Sequence, residues 1–261
     1  MNSEALHMAS NTNLSALLCL EDLRFAYSEG KDIVSNIQLD IAAGDFHCLI
    51  GRSGCGKTSL LKLAAGLLQK QHGRVRWRGH TIDTPQEDMA FVFQRPTLLG
   101  WLNVMDNVLL PVSLHRPLVP TDITKAQGLL VRMGLRDCLT RKPAQLSGGQ
   151  QSRVAIARAF MGDPRILFMD EPFAALDAIT REEIQNELMA LCEDLSTTVL
   201  FVTHDIAEAV FLGDHVSLMT NGQIRTTYPI ELDRPRKNAL RRTPAFNAYC
   251  TQLRLAMEEQ A

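Results

Sequence analysis

Short apolar runs that stop at a polar or charged residue recur along the chain, and stretches with apolar residues three and four apart lie between them. LLCLEDLRFAY (17–27), DFHCLI (45–50), RVRWRG (74–79), DMAFVF (88–93), ILFMD (166–170) and TTVLFVT (197–203) read as strands. KTSLLKLAAGLL (57–68), a segment ending near Met161, and one from about Ala178 on which Ile184, Leu188, Leu191 and Leu195 keep one apolar face read as helices. Residues 103–133 are mostly helical, with a break between Pro111 and Pro120 and a stop at Gly134. Asn221-Gly222 marks a hairpin turn between HVSLMT and QIRTTY. Alternating strands and helices predict an α/β domain with a largely parallel central sheet and a helix-rich insertion. Residues 1–16 are polar and aperiodic, which reads as a loose N-terminal tail, with a targeting role as the second reading.

Composition narrows this picture. A chain of 261 residues with 46% hydrophobic content can build one large domain or two small ones around a sizeable core. A net charge of −2, with Lys and Arg spread along the chain, gives no overall field for nucleic acid or an anionic membrane. Cys19, Cys48, Cys55, Cys138, Cys192 and Cys250 form no CxxC pair and no His/Cys cluster at zinc spacing, so reduced thiols in a cytosolic protein are expected. The longest apolar stretches fall far short of the ~20 residues that cross a bilayer.

The candidate chemistry sits where strands end. GRSGCGKTS supplies Gly51, Arg52, Ser53, Gly54, Cys55, Gly56, Lys57, Thr58 and Ser59 between a strand and a helix, as a phosphate-binding loop requires. Glycines let backbone N–H groups turn toward phosphate oxygens, and the helix start adds positive potential. Lys57 then neutralises the β and γ phosphates of a bound nucleotide, which kinases, GTPases and motor ATPases alike would present, and the Thr58 hydroxyl ligates Mg²⁺. ILFMD ends in Asp170 and Glu171: Asp170 suits a Mg²⁺-holding carboxylate, and Glu171 a base that accepts a proton from the attacking water. Pro172 fixes the chain just after them. His204 closes a third apolar strand, where a histidine either contacts the γ-phosphate or water, or is structural. Gln94 ends another strand with an uncharged amide able to touch both Mg²⁺ and water.

Between the loop and the carboxylates lies LSGGQ, with Ser147, Gly148, Gly149 and Gln150. Small residues at a helix start leave room for a triphosphate, and a serine can donate to it. With the phosphate loop, Gln94, LSGGQ, ILFMDE, AALD and TH in this order, the chain resembles the ATP-binding subunits of ABC transporters along nearly its whole length.

That resemblance implies a P-loop NTPase (RecA-like) α/β core with an antiparallel β region and an inserted helical subdomain at about 95–160. It divides the chain into a tail (1–16), an ATPase domain (17–232) and a basic C-terminal segment with a terminal helix (233–261). It implies a Q-loop role for Gln94, a D-loop aspartate at Asp177, a switch role for His204 and stacking of Tyr27 on adenine, although a lone tyrosine also fits a core position. It further implies a homodimer or pseudo-dimer in which LSGGQ meets the partner's ATP, transmembrane permease subunits, an external solute-binding protein, no nucleic acid, and a peripheral place on the cytoplasmic face of the inner membrane.

FQRPTLLGWLNVMDNVLLP and DEPFAALDAITREEIQNEL are most similar to the nitrate, taurine and aliphatic-sulfonate importers. Those usually read FQEP-x-LLPW, whereas this chain has Arg95 and Gly100; Ser152 also departs from the usual pattern. The alternatives are an exporter or lipid-trafficking subunit, or a nucleic-acid-maintenance ATPase, whose long heptad arms are missing here. RPRKNALRR (234–242) carries five basic residues, readable as solvated surface or as a face near the membrane or the dimer partner.

Overall fold

The computed structural model of the chain describes residues 16–27, 30 and 32–259; the expected N-terminal tail lies outside them except at Ala16. A six-stranded sheet forms the centre. Its order is β10 (Gln223–Pro229), β9 (His215–Thr220), β3 (Phe46–Ile50), β8 (Thr198–Val202), β7 (Ile166–Asp170) and β6 (Met89–Val92). All pairings are parallel except β9 with β10. Every residue of β3, β7 and β8 is buried, which is why these strands are unbroken apolar runs: helices or a second sheet cover both faces.

A four-stranded antiparallel sheet packs on one face, in the order β2 (Val34–Ala42), β1 (Ala16–Phe25), β4 (His72–Trp77) and β5 (His80–Ile82). The strand expected over 17–27 ends at Phe25, and β2 and β5 add two strands that the apolar pattern did not reveal. One core cluster lies between this sheet, α1 (Lys57–Ala64) and the central sheet, with Leu20, Leu61, Phe168 and Leu200. The other lies on the opposite face and gathers Phe160, Phe173, Phe201 and Phe211. Each such fully buried aromatic contributes about 2 kcal/mol of burial.

Between β6 and β7 the chain is helical: α2 (Val104–Ser113), α3 (Pro120–Arg132) and α4 (Gly148–Phe160). Pro111 does not start the break; α2 runs through it to Ser113, because a proline so near the end removes only the bond to the Asn107 carbonyl. Gly134, at φ +67°, ends α3 as expected. α5 (Ala178–Leu195) buries Ile184, Leu188 and Leu191, with Leu195 half-buried at its last position. Asn221 and Gly222 both take positive φ in the β9–β10 hairpin. α6 (Ile206–Leu212) and α7 (Pro244–Glu259) complete the described chain. All six cysteines are free thiols.

Candidate active site

Parallel strands bring their carboxyl ends to one edge, and four of them deliver the predicted residues there: β3 leads into the glycine loop, β6 into Gln94, β7 into Asp170 and Glu171, and β8 into His204. The loop after β3 depends on glycine at two positions for steric reasons. A Cβ on Gly51 would lie 2.3 Å from the Met219 carbonyl oxygen, and one on Gly56, at φ +107°, would lie 2.5 Å from that of Ile33. Gly56 then caps α1, so the N–H groups of the first turn face the loop. Lys57 is buried and folds back over the loop, its Nζ donating to the carbonyls of Gly51 at 2.7 Å and Arg52 at 3.0 Å. Arg52, Ser53 and Gly54 are exposed around it, and Cys55 is half-buried with Sγ 3.9 Å from Lys57 Nζ.

Thr58 Oγ1 donates to Asp170 Oδ1 at 3.1 Å, joining the first turn of α1 to the end of β7. Burial pushes the Asp170 carboxyl up from its ordinary value; the Thr58 hydroxyl opposes this and the Glu171 charge adds to it. A cation beside Thr58 and Asp170 would offset both destabilising effects, so this donor set fits Mg²⁺.

Glu171 adopts a left-handed backbone conformation, φ +44°, at a cost on the order of 1 kcal/mol. Its N–H donates to the Val202 carbonyl at 3.0 Å, which holds the turn against β8. The carboxylate is thereby aimed sideways: Oε2 accepts from Gln94 Nε2 at 3.3 Å and lies 3.1 Å from His204 Nδ1. Three residues from three strands thus meet at one oxygen. Gln94 makes no hydrogen bond to Asp170 or Thr58 among the described residues. Tyr27 is 62% exposed rather than core, with its ring edge on Phe25 and its hydroxyl 3.1 Å from Ser59 Oγ, beside the loop.

Ser147 caps α4 in a reciprocal box: Gln150 N–H donates to Ser147 Oγ at 3.2 Å, and Ser147 N–H to Gln150 Oε1 at 3.0 Å. Gly148 is exposed. Gly149 is buried against the chain's own turn before Asp177: a Cβ there would come within 2.8 Å of Leu176 Cδ2 and 3.3 Å of the Ala175 carbonyl oxygen, so the Leu176 side chain would have to shift. Asp177 caps α5, accepting from Thr180 N–H at 3.0 Å, and these bonds hold its carboxyl below the usual range. None of the hydrogen bonds of Ser147 to Gln150 reaches the phosphate loop among the described residues.

The sequence reading missed the buried support beneath His204. Thr203 Oγ1 donates to Glu208 Oε2 at 2.7 Å, Gln185 Nε2 donates to Glu208 Oε1 at 3.2 Å, and Arg181 Nε lies 3.6 Å from that oxygen. Burial raises the Glu208 carboxyl above its ordinary value, against the Thr203 hydrogen bond. HDIAE carried the signal, since Asp205 caps α6 through Ala207 and Glu208 N–H. The basic run at 234–242 is also more than solvated surface. Arg236 is buried and donates to the carbonyls of Val210, Phe211, Gly213 and Ile230, Arg234 pairs with Asp214, and Arg241 stacks on Phe211. Cationic groups close the carboxyl end of α6, where its carbonyls need donors.

Residues 34–174 match the family described as ABC transporter. Over 209 residues the chain is 44% identical to the nitrate import ATP-binding protein NrtD of Synechococcus elongatus, covering 78% of this chain and 76% of that protein. It is 40% identical over 237 residues to the bicarbonate transport ATP-binding protein CmpD of a Synechocystis species, covering 87% and 83%. It is 40% identical over 210 residues to the aliphatic sulfonates import ATP-binding protein SsuB of Cupriavidus pinatubonensis, covering 80% and 68%. Among solved structures, a dimeric ATP-binding cassette in a post-hydrolysis state with ADP and Pi superposes with a TM-score of 0.76 at 30% identity, covering 83% of this chain and all of that one.

Proposed function

Since the chain belongs to the ABC transporter family, we propose that it is the ATP-hydrolysing subunit of an importer for a small oxyanion or related organic solute, acting on separate transmembrane permease subunits. The observation that carries the reading is the meeting of Gln94, Glu171 and His204 at one carboxylate oxygen, one residue beyond the Thr58–Asp170 pair. Relatives named for nitrate, bicarbonate and aliphatic sulfonates support the solute class.

In this reading the glycine loop binds the triphosphate through backbone N–H groups, and Lys57 leaves its carbonyl partners for phosphate oxygens. Thr58, Asp170 and Gln94 hold Mg²⁺, which when bound neutralises phosphate charge. Tyr27, exposed beside Ser59, stacks on the adenine. Glu171 accepts the proton of the attacking water, while Gln94 and His204 fix its carboxylate and the water's position.

Two copies complete the catalytic unit, as a homodimer or a pseudo-dimer. Ser147, Gly148, Gly149, Gln150 and Asp177 of one copy face the ATP held by the other; the exposed Ser147, Gly148 and Asp177 and the absence of hydrogen bonds from Ser147 to its own chain's phosphate loop among the described residues support this. ATP then stabilises the closed pair and hydrolysis releases it.

The described residues contain no helix long and apolar enough to cross a membrane, so attachment to the cytoplasmic membrane face runs through protein partners, with an external solute-binding protein delivering the cargo. The segment after Gln94 suits the permease contact. Asn107 fastens it through Leu99, Leu102 and Asn103, and Arg158 through Thr97, leaving Trp101 72% exposed. Co-purification from detergent-solubilised membranes tests the proposal. A stable complex with a multi-spanning subunit is expected; ATPase activity stimulated by nucleic acid and no membrane partner would refute it.

A further inference from the structure

At the edge of the central sheet opposite the nucleotide loop, where β3 and β9 begin, three potential metal ligands converge. Parallel pairing sets His47 directly against His215, and their imidazoles stack with centroids 5.8 Å apart, 17° from parallel. Asp45 stands two residues before His47 and shares its face by the two-residue strand period. Its Oδ2 lies 3.0 Å from His215 Nδ1. One ligand atom from each of the three residues lies within 4.8 Å of the others. Spacing along the sequence hid this cluster, because 168 residues separate its two histidines and only the sheet register brings them together.

The bonding of His47 is incomplete. The residue is 2% exposed, and its Nε2 lies 2.8 Å from Ser217 Oγ, which lies 2.7 Å from Thr227 Oγ1. Its other ring nitrogen, Nδ1, is buried without a hydrogen-bond partner among the described residues. His215 Nδ1 is also buried, with the Asp45 carboxylate as its close polar neighbour but outside good hydrogen-bond alignment. A buried polar atom left unpaired is unfavourable, and His47 Nδ1, in a cluster with His215 and the Asp45 carboxylate, marks a place for a cation.

We propose that Asp45, His47 and His215 bind a divalent transition metal of the zinc class, through His47 Nδ1, His215 Nδ1 and the Asp45 carboxylate, with water at the fourth position. Two imidazoles and one carboxylate suit zinc, whereas Mg²⁺ and Ca²⁺ take oxygen ligands. Zinc–ligand bonds near 2.0–2.1 Å place ligand atoms roughly 3.3 Å apart, so the site closes from its present spread by rotation of Asp45 and His215, the two partly exposed members. Ser217 fixes the orientation of the His47 ring as a neighbour of the ligand. Burial keeps His47 neutral, which leaves a lone pair for the metal. Asp214, the nearby acid, does not compete: it accepts from Phe46 N–H at 2.9 Å and Arg234 Nη2 at 2.6 Å. The metal ties together the beginnings of the two strands whose far ends form and back the phosphate loop, Ile50 before Gly51 and Met219 against it.

The test is a Co²⁺ titration of the full chain after dialysis against a chelator. One equivalent is expected to bind with the visible absorption of four-coordinate Co²⁺, to be displaced by Zn²⁺ and to persist in Mg-ATP. His215→Ala and Asp45→Asn, at partly exposed positions, should each weaken Co²⁺ binding at least about tenfold, and Ser217→Ala about tenfold. No bound Co²⁺ at one equivalent in the wild-type chain overturns the proposal. So does a spectrum unchanged in His215→Ala, which would place the metal elsewhere.

Discussion

The phosphate-loop half and the LSGGQ half of this chain are both helix starts lined with glycine, yet they are finished differently. At the loop, side chains cross between elements: Thr58 reaches Asp170, Lys57 folds over the loop, and Glu171 is held by two other strands. At LSGGQ and at Asp177, the Ser147 and Asp177 side chains cap only their own helices and stay exposed. One half is a site closed upon its own chain; the other presents helix dipoles outward, where a second molecule's phosphates can meet them.

Five substitutions probe that contrast and the frame beneath it. Glu171→Gln should lower ATP turnover about 10²–10⁴-fold while leaving ATP binding intact and trapping an ATP-loaded dimer, read by steady-state hydrolysis and size-exclusion chromatography. Undiminished turnover would remove the general-base assignment.

Lys57→Ala and Ser147→Ala form the central comparison. Lys57→Ala should weaken ATP binding to the monomer by about 10–100-fold, since a charged donor to phosphate is lost. Ser147→Ala should leave monomer binding unchanged, reduce turnover up to about 10²-fold, and cost about 1 kcal/mol for the lost cap. Ser147→Asp separates the two effects, because it keeps the cap and should hold stability while a carboxylate turned toward the partner's triphosphate keeps turnover low. If Ser147→Ala impairs nucleotide binding by the isolated monomer, the two halves are not divided between chains.

The smallest effect is at Glu208, under the histidine turn. Its folded value is raised above 4.5, so the folded state holds the proton more tightly than the unfolded one; this contribution to stability is full below pH 4.5 and is lost as pH rises through the folded value. Glu208→Gln should flatten the fall in stability just above pH 4.5, measured as denaturant midpoint against pH. An unchanged profile would mean that another group carries that slope.

Much of the site was legible because each piece is local. A phosphate loop must have glycines at fixed steps after a strand, and apolar runs ending in Gln94, Asp170 and His204 announce strands whose ends share an edge. Capping residues also speak locally: in HDIAE the acid at Asp205 marks the start of α6, which carries Glu208 under the histidine turn. Pro111 misled because its effect depends on how many turns of helix follow it. The basic run misled because its composition does not disclose that α6 ends beside it with carbonyls to satisfy.

The sequence alone therefore determined the α/β class, the positions of most strands and helices, and which residues stand at the carboxyl edge of the parallel strands. Their reason is short range: φ/ψ preferences, two- and 3.6-residue periods and fixed motif steps act within a few residues. Only the tertiary structure decided that Gln94 and His204 share one oxygen of Glu171, that Gly149 answers to Leu176, and that Asp45, His47 and His215 form a cluster. Those contacts depend on strand order and register, which are set by how the whole sheet buries its faces and which no local pattern encodes.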